Sequence, residues 1–250
     1  MNFFSLIKRN FLYKFKKKID IDNDLIKDDI LDNLFSYYNT DKANFINNGK
    51  DRGHGYAKFY ETHLSKFKYE KIKILEIGSF AGASAAAFVK FFPHAEIYCL
   101  DINLLNFKYS SKKIHTFGVN TSDKKMISNL LLKIDFYNSI KKFDVIIDDG
   151  SHKLSDQLKA LDFFYKHVSS GGFYIIEDYK FLNYFNHLND VNDLKVSELI
   201  MKINKNEIIN SKLISQNTIK DIIKNNKKIF EYKGNTENSD VAFFEKKIIS

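Results

Sequence analysis

"KILEIGSFAGAS", residues 73–84, decides how the rest of the chain is read. A short apolar run ends at Ile77, glycines follow at 78 and 82, and a run of small residues continues. That is the punctuation of a strand, a tight turn and a helix, since glycine enters left-handed conformations freely and lets a ligand approach the backbone. A dinucleotide fingerprint G-x-G-x-x-G would need glycine where Phe80 and Ala83 stand, so a nicotinamide or flavin site loses support. Glu76 precedes the first glycine, and the next apolar run, "EIYCLD", ends in Asp101. An acid at that second strand tip commonly accepts hydrogen bonds from ribose hydroxyls. The turn therefore reads as a nucleoside pocket, with Glu76, Gly78, Ser79, Gly82, Ser84 and Asp101 as candidates. A purely structural strand-to-helix turn is the competing reading.

Outward from this turn, residues 71–178 alternate strand, helix, strand, turn, strand, helix, strand, helix, strand. The strands "KILEI", "EIYCLD", "IHTFGV", "DVIIDD" and "FYIIED" are short, continuous apolar runs, as in a parallel sheet covered on both faces. Gly171 and Gly172 precede the last of them. Between them, "LSDQLKALDFFYKHV" places Leu154, Leu158, Leu161, Tyr165 and Val168 at helical spacing. The pattern predicts an open α/β sheet. The end of the chain, "KKIFEYKGNTENSDVAFFEKK", predicts an antiparallel hairpin on its edge. Residues 22–70 read as helices around a polar loop. Residues 179–228 are polar and helical, and their position after a strand tip suits a lid. Residues 71–250 would thus form the main domain, with 179–228 inserted in it.

The chain has 250 residues, enough for one substantial core. One cysteine, Cys99, excludes a disulfide framework within the chain and fits a reducing, cytoplasmic compartment. The net charge is +8, but no aromatic–basic stripe accompanies it, so no nucleic-acid partner is expected. No run approaches the ~20 apolar residues of a membrane span. Residues 1–21 form a basic amphipathic segment, with Phe3, Ile7, Phe11, Phe15 and Ile19 every four residues among Lys and Arg. Its first expectation is packing on the main domain or on another subunit of a homo-oligomer. Peripheral contact of residues 1–20 with an anionic membrane is the sharper alternative.

The chemistry gathers at two consecutive strand ends. "IIDDGSH" ends in Asp148 and Asp149, and "YIIEDY" in Glu177 and Asp178. Neighbouring strands lie ~4.8 Å apart. Side chains alternate faces, so one acid of each pair points away while the others converge. Clustered carboxylates repel unless a proton or cation intervenes, and a hard divalent cation such as Mg²⁺ or Mn²⁺ is the simplest solution. Helix capping by Asp149 or Ser151 is the alternative for one acid, though not for four. His152 stands three residues past Asp149. Beside a cation that acidifies an alcohol, a neutral imidazole is a suitable proton acceptor; a ligand role and a local structural role are the alternatives.

Six stretches then occur in order: "NTDK" (39–42), "HGYAKFYETHL" (54–64), "LEIGSFAGAS" (75–84), "FFPHAEIYCLDI" (91–102), "FDVIIDDGSHKLSDQ" (143–157) and "SGGFYIIEDY" (170–179). As a set they resemble the metal-dependent sugar O-methyltransferases of macrolide tailoring, a sequence family that also holds cephalosporin hydroxylase-like proteins. The resemblance implies a Rossmann-like class I methyltransferase fold, mostly parallel with a carboxyl-terminal antiparallel hairpin and helical additions. It implies methyl transfer from S-adenosylmethionine to a sugar hydroxyl, assisted by Mg²⁺. Asp149, Glu177 and Asp178 would hold the metal, with Asp149 and His152 the catalytic pair and His152 the base. The segment with Thr40, Lys42, His54, Tyr56, Tyr60 and Glu61 would close over the cofactor, with Lys42 and Tyr56 as partners for the methionine carboxylate or the acceptor. Asn120 and Asp123 would lie by the adenine, where the family commonly has an acid in place of Asn120; either could equally cap a helix. Asp148 is grouped with the cofactor residues. Residues 179–228 and the amino-terminal segment depart from the macrolide enzymes, and their polarity points to a hexose or heptose, nucleotide-linked and destined for surface polysaccharide or a glycosylated natural product. A catechol-type acceptor and a non-catalytic, membrane-recruited assembly protein are the alternatives.

Overall fold

The computed structural model describes residues 3–44, 46–47, 50–51, 53–138 and 141–248, without the side chains of Phe3, 46–47, 50–51 and 136–138. The chain divides into two compact units, Met1–Thr121 with Gly234–Glu237, and Ser122–Lys233 with Asn238–Ser250. The division falls inside the expected methyltransferase region, and residues 22–70 fold with the first unit.

The first unit opens with helix α1 (Phe3–Lys14) and a two-residue strand, β1 (Ile19–Asp20). Next come α2 (Leu31–Tyr38), the short antiparallel pair β2 (Ile46–Asn47) and β3 (Lys50–Asp51), and α3 (Ala57–Leu64). Strand β4 (Lys73–Ile77), helix α4 (Ala83–Phe91) and strand β5 (Glu96–Asp101) follow with the bounds that the apolar runs predict. Short β6 (Tyr109–Ser110) pairs with β1, and β7 (Ile114–Gly118) completes a parallel ladder in the order β4, β5, β7. Apolar side chains of β4, β5 and α4 are buried, which is why these strands show no polar alternation. An edge of Phe35 meets Tyr60 and Phe88, fixing α2 and α3 over α4.

In the second unit, α5 (Lys124–Asn138), β8 (Phe143–Asp148), α6 (Leu154–Phe164) and β9 (Val168–Glu177) alternate. Helices α7 (Val196–Asn204) and α8 (Gln216–Asn225) form the insertion, and β10 (Asn226–Lys233) and β11 (Asp240–Lys246) the expected hairpin. β8 and β9 are parallel neighbours, while β11 runs antiparallel to β9. The whole is a mostly parallel α/β fold with an antiparallel carboxyl-terminal hairpin, the Rossmann-like methyltransferase arrangement expected from the sequence.

One boundary differs. Gly171 and Gly172, expected to precede the strand, lie within β9, where the register against β8 shifts between Phe143 and Val145. A Cβ on Gly172 would stand 2.4 Å from the Asp144 carbonyl oxygen, so the glycine answers a close backbone approach inside the strand. The insertion is also more firmly anchored than a free flap. Asp190 accepts hydrogen bonds from the Ser155 backbone (3.0 Å) and hydroxyl (2.7 Å) at the start of α6. Asp162 of α6 accepts from the Ser215 backbone (2.8 Å) and the Thr218 hydroxyl (2.7 Å) at the start of α8.

Candidate functional site

In the first unit the backbone turns sharply after β4, with positive φ at Gly78 (83°), Phe80 (40°) and Gly82 (74°). The Gly78 amide donates to the Leu100 carbonyl (2.8 Å), tying the turn to the tip of β5. Asp101 holds it from the other side, one carboxylate oxygen accepting from the Phe80 amide (2.8 Å) and the other from the Asn103 amide (2.6 Å). Each oxygen keeps a further lone pair, so a ribose hydroxyl remains within the carboxylate's capacity. Glu76 is buried and accepts the Ser84 hydroxyl, while the Ser79 hydroxyl donates to the Glu76 carbonyl (3.2 Å). All six residues expected in the turn therefore meet in one bonded knot. Gly82 has its own reason, because a Cβ there would stand 2.5 Å from the Phe107 ring. Phe80 escaped the sequence reading, which noted only that it was not glycine. It is 65% exposed with a left-handed backbone, a strained conformation held by Asp101.

The amino-terminal motifs also converge. The His54 and Gly55 amides donate to the Asp41 and Ala43 carbonyls, and the Tyr56 amide donates to the Lys42 carbonyl (2.9 Å), stitching "NTDK" to "HGY". Lys42, Tyr56, Tyr60 and Thr40 are buried, and the His54 ring meets Tyr56 edge-on at 5.1 Å. Glu61 accepts the Leu31 amide, a bond that starts α2. A partner invisible to local reading joins them. Asn235, in the β10–β11 turn, donates to the His54 carbonyl (2.9 Å) and packs so close to Gly55 that a Cβ there would clash. A surface cleft of about 630 Å³ elsewhere in this unit, bordered by Asp24, Lys68, Lys90 and Lys113, contains none of the expected site residues.

Val119, beside Asn120, donates its amide to the Asp101 carbonyl (2.9 Å), and Asn120 is half-buried. In the second unit, Asp123 accepts the Lys125 and Met126 amides, both at 3.0 Å. It acts as the amino-terminal cap of α5, the alternative that the sequence left open.

The second candidate centre lies at the ends of β8 and β9. Asp148 pairs in register with Ile176, which sets Asp149 and Glu177 at matching tips. Asp149, His152 and Asp178 come together there, each offering a ligand atom, all within 4.8 Å of one another. Glu177, expected with the two aspartates, is not one of this group; it is buried in β9 opposite Val241. The backbone explains the choice. Asp178 has φ +52°, which breaks the strand's alternation just past Glu177, and its amide is pinned to the Asp240 carbonyl (2.6 Å). His152 likewise has φ +57°. Ser151 and Ser122 both donate to Asp156 in the first turn of α6, fixing the 149–153 loop. Lys153, the residue before helix α6, makes no side-chain cap bond.

His152 Nε2 stands 3.9 Å from Asp149 Oδ1, an ion-pair distance too long for a hydrogen bond. Its Nδ1 is buried without a hydrogen-bond partner, and its ring packs against Phe181 at 5.1 Å. Asp148 is buried beside the Tyr174 hydroxyl; burial first, then the Asp149 charge, push its carboxyl up to about 8. A cation nearby would draw it down again. Two carboxylates and an imidazole, one of its nitrogens unsatisfied, fit a divalent ion that takes oxygen and nitrogen donors, within the range of Mg²⁺ and Mn²⁺.

No family profile matches the chain. It is 28% identical over 155 residues to mycinamicin VI 2''-O-methyltransferase of Micromonospora griseorubida, covering 59% of this chain and 35% of that protein. Over 142 residues it is 25% identical to 8-demethyl-8-alpha-L-rhamnosyl tetracenomycin-C 2'-O-methyltransferase of Streptomyces olivaceus, covering 53% and 36%. The chain thus spans about a third of the length of the curated relatives it matches. Among solved structures, the MycE methyltransferase of the mycinamycin pathway, in complex with Mg and SAH, superposes with a TM-score of 0.67 at 24% identity, covering 89% of this chain and 55% of that one. These matches fit the resemblance to sugar O-methyltransferases expected from the sequence.

Proposed function

We propose that the chain is a metal-assisted O-methyltransferase that transfers a methyl group from S-adenosylmethionine to a sugar hydroxyl. The support for this reading is the Asp149–His152–Asp178 cluster, together with relatives whose names are sugar O-methyltransferases and a superposed structure in complex with Mg and SAH. In it, the first unit binds the donor. Asp101 receives the ribose hydroxyls while holding Phe80, Glu76 fixes the turn through Ser84, and Lys42 and Tyr56 serve the methionine carboxylate or the acceptor. The second unit binds and activates the acceptor. Asp149 and Asp178 would hold a divalent cation, with Asp148 in support of Asp149. The donor supplies a methyl on a good sulfonium leaving group, and the cation supplies stabilisation of the developing oxyanion. His152 takes the acceptor hydroxyl's proton as the oxygen–carbon bond forms and the carbon–sulfur bond breaks. The 179–228 segment carries the polar side chains of the acceptor pocket, suited to a hexose or heptose, nucleotide-linked and on its way to surface polysaccharide. The protein acts in the cytoplasm.

Calorimetric titration of Mn²⁺ or Mg²⁺ into the full chain tests the division of roles. Asp149→Asn and Asp178→Asn should lose cation binding. His152→Ala should keep it, keep the donor's affinity, and lose turnover by about 10²–10⁴-fold. If His152→Ala loses the cation as completely as the aspartate variants do, the histidine is a ligand and not the base.

A further inference from the structure

Helix α1 is apolar on two opposite sides, one buried and the other exposed. Leu6 and Tyr13 are buried on the first unit, the Asn10 amide donates to the Gly118 carbonyl of β7 (2.8 Å), and the Lys16 ammonium donates to the Leu105 carbonyl. The stripe expected to pack on the main domain or on another subunit is exposed in the single chain: Phe11 is 57% exposed, Phe15 74%, and Ile7 and Ile19 about half. Phe4, 75% exposed, extends it; the side chain of Phe3 lies outside the described residues. At helical spacing, Phe4, Ile7, Phe11 and Phe15 share one line, opposite Leu6 and Tyr13. Exposed Lys8, Lys14 and Lys17 border it, with Arg9, Lys16 and Lys18 behind, and no acid precedes Asp20.

We infer that this outer face of α1 docks on an anionic lipid surface, lying in the plane of the headgroups. The charge pattern selects the occupant. A second copy would bring six like charges against six, whereas anionic headgroups neutralise them while the aromatic rings enter the acyl boundary and the lysine stems reach outward. Anchorage through Leu6, Asn10 and Tyr13 holds the face ready, so docking need not order the helix. Among the described residues no helix is long and apolar enough to cross a membrane, which leaves an in-plane contact.

The inference stands apart from the methyl-transfer reading, because vesicle binding needs neither donor nor metal. The full chain should co-sediment with phosphatidylcholine vesicles containing phosphatidylglycerol and not with phosphatidylcholine alone. Binding should fall about tenfold or more between low and high salt. Phe4→Ser/Phe11→Ser/Phe15→Ser, which changes no residue of either candidate centre, should reduce binding at least about tenfold while melting at the wild-type temperature. Lys8→Gln/Lys14→Gln/Lys17→Gln should reduce it without altering the apolar stripe. Absence of vesicle binding, or equal binding to neutral vesicles, overturns the inference. So does a concentration-dependent dimer that the phenylalanine triple variant dissolves without any lipid binding.

Discussion

At the scale of single residues, the account turns on backbone strain spent where the chemistry is expected. Phe80, His152 and Asp178 all adopt left-handed φ without being glycine, and such residues persist only where their surroundings hold them. Asp101 holds Phe80, and the Asp240 carbonyl holds the Asp178 amide. None of this was legible in the sequence, where strand alternation made Glu177 and Asp178 equal candidates. The identity of the acids was legible; which of them joins Asp149 and His152 needed the φ of one residue. Phe181 was equally hidden, because nothing local marks one aromatic in a polar insertion as the neighbour of His152. Its ring packs edge-on against an imidazole whose Nδ1 has no hydrogen bond. Phe181→Ala should therefore lower kcat by about ten- to a hundredfold with donor affinity unchanged, and Phe181→Tyr should recover much of it. Unchanged kcat in the alanine variant would show that the ring does not position the base.

Between elements, strand order and helix placement were legible because they follow from apolar period and glycine punctuation, as the matching bounds of β4 and β5 show. What was illegible depended on partners distant in the chain. Asn235 against Gly55 is one case, and the docking of α1 through Leu6 and Tyr13 in place of its more regular stripe is another. The insertion is a third. A polar helical segment after a strand tip suggested a lid, yet Asp162 and Asp190 tie it to α6. Burial would raise the Asp162 carboxyl, but the Thr218 and Ser215 hydrogen bonds pull it below the usual range. A carboxyl lowered in the folded state stabilises above its unfolded value, near about pH 4, and that contribution is lost as the pH falls through the folded one. Asp162→Asn should cost about 1–2 kcal/mol at neutral pH, with the gap from wild type narrowing on acidification. Thermal melts from pH 3 to 7 check this; a gap that widens toward low pH would contradict it.

For the molecule as a whole, the claim is a division of labour: a glycine turn clamped by Asp101 for the donor, and an acid–imidazole cluster at two paired strand tips for the acceptor. The turn and the strand tips were legible because they keep their spacing in the sequence. The acceptor was not, since no motif in the sequence marks the residues that would contact it. The most direct measurement is transfer of labelled methyl from S-adenosylmethionine by the purified full chain, with and without excess EDTA, to a panel of nucleotide sugars, simple glycosides and catechols. Label is expected on a sugar hydroxyl, abolished by chelation, restored by Mg²⁺ or Mn²⁺, and lost in His152→Ala. Transfer at an undiminished rate in EDTA, transfer confined to catechols, or failure to bind the donor at all would contradict it.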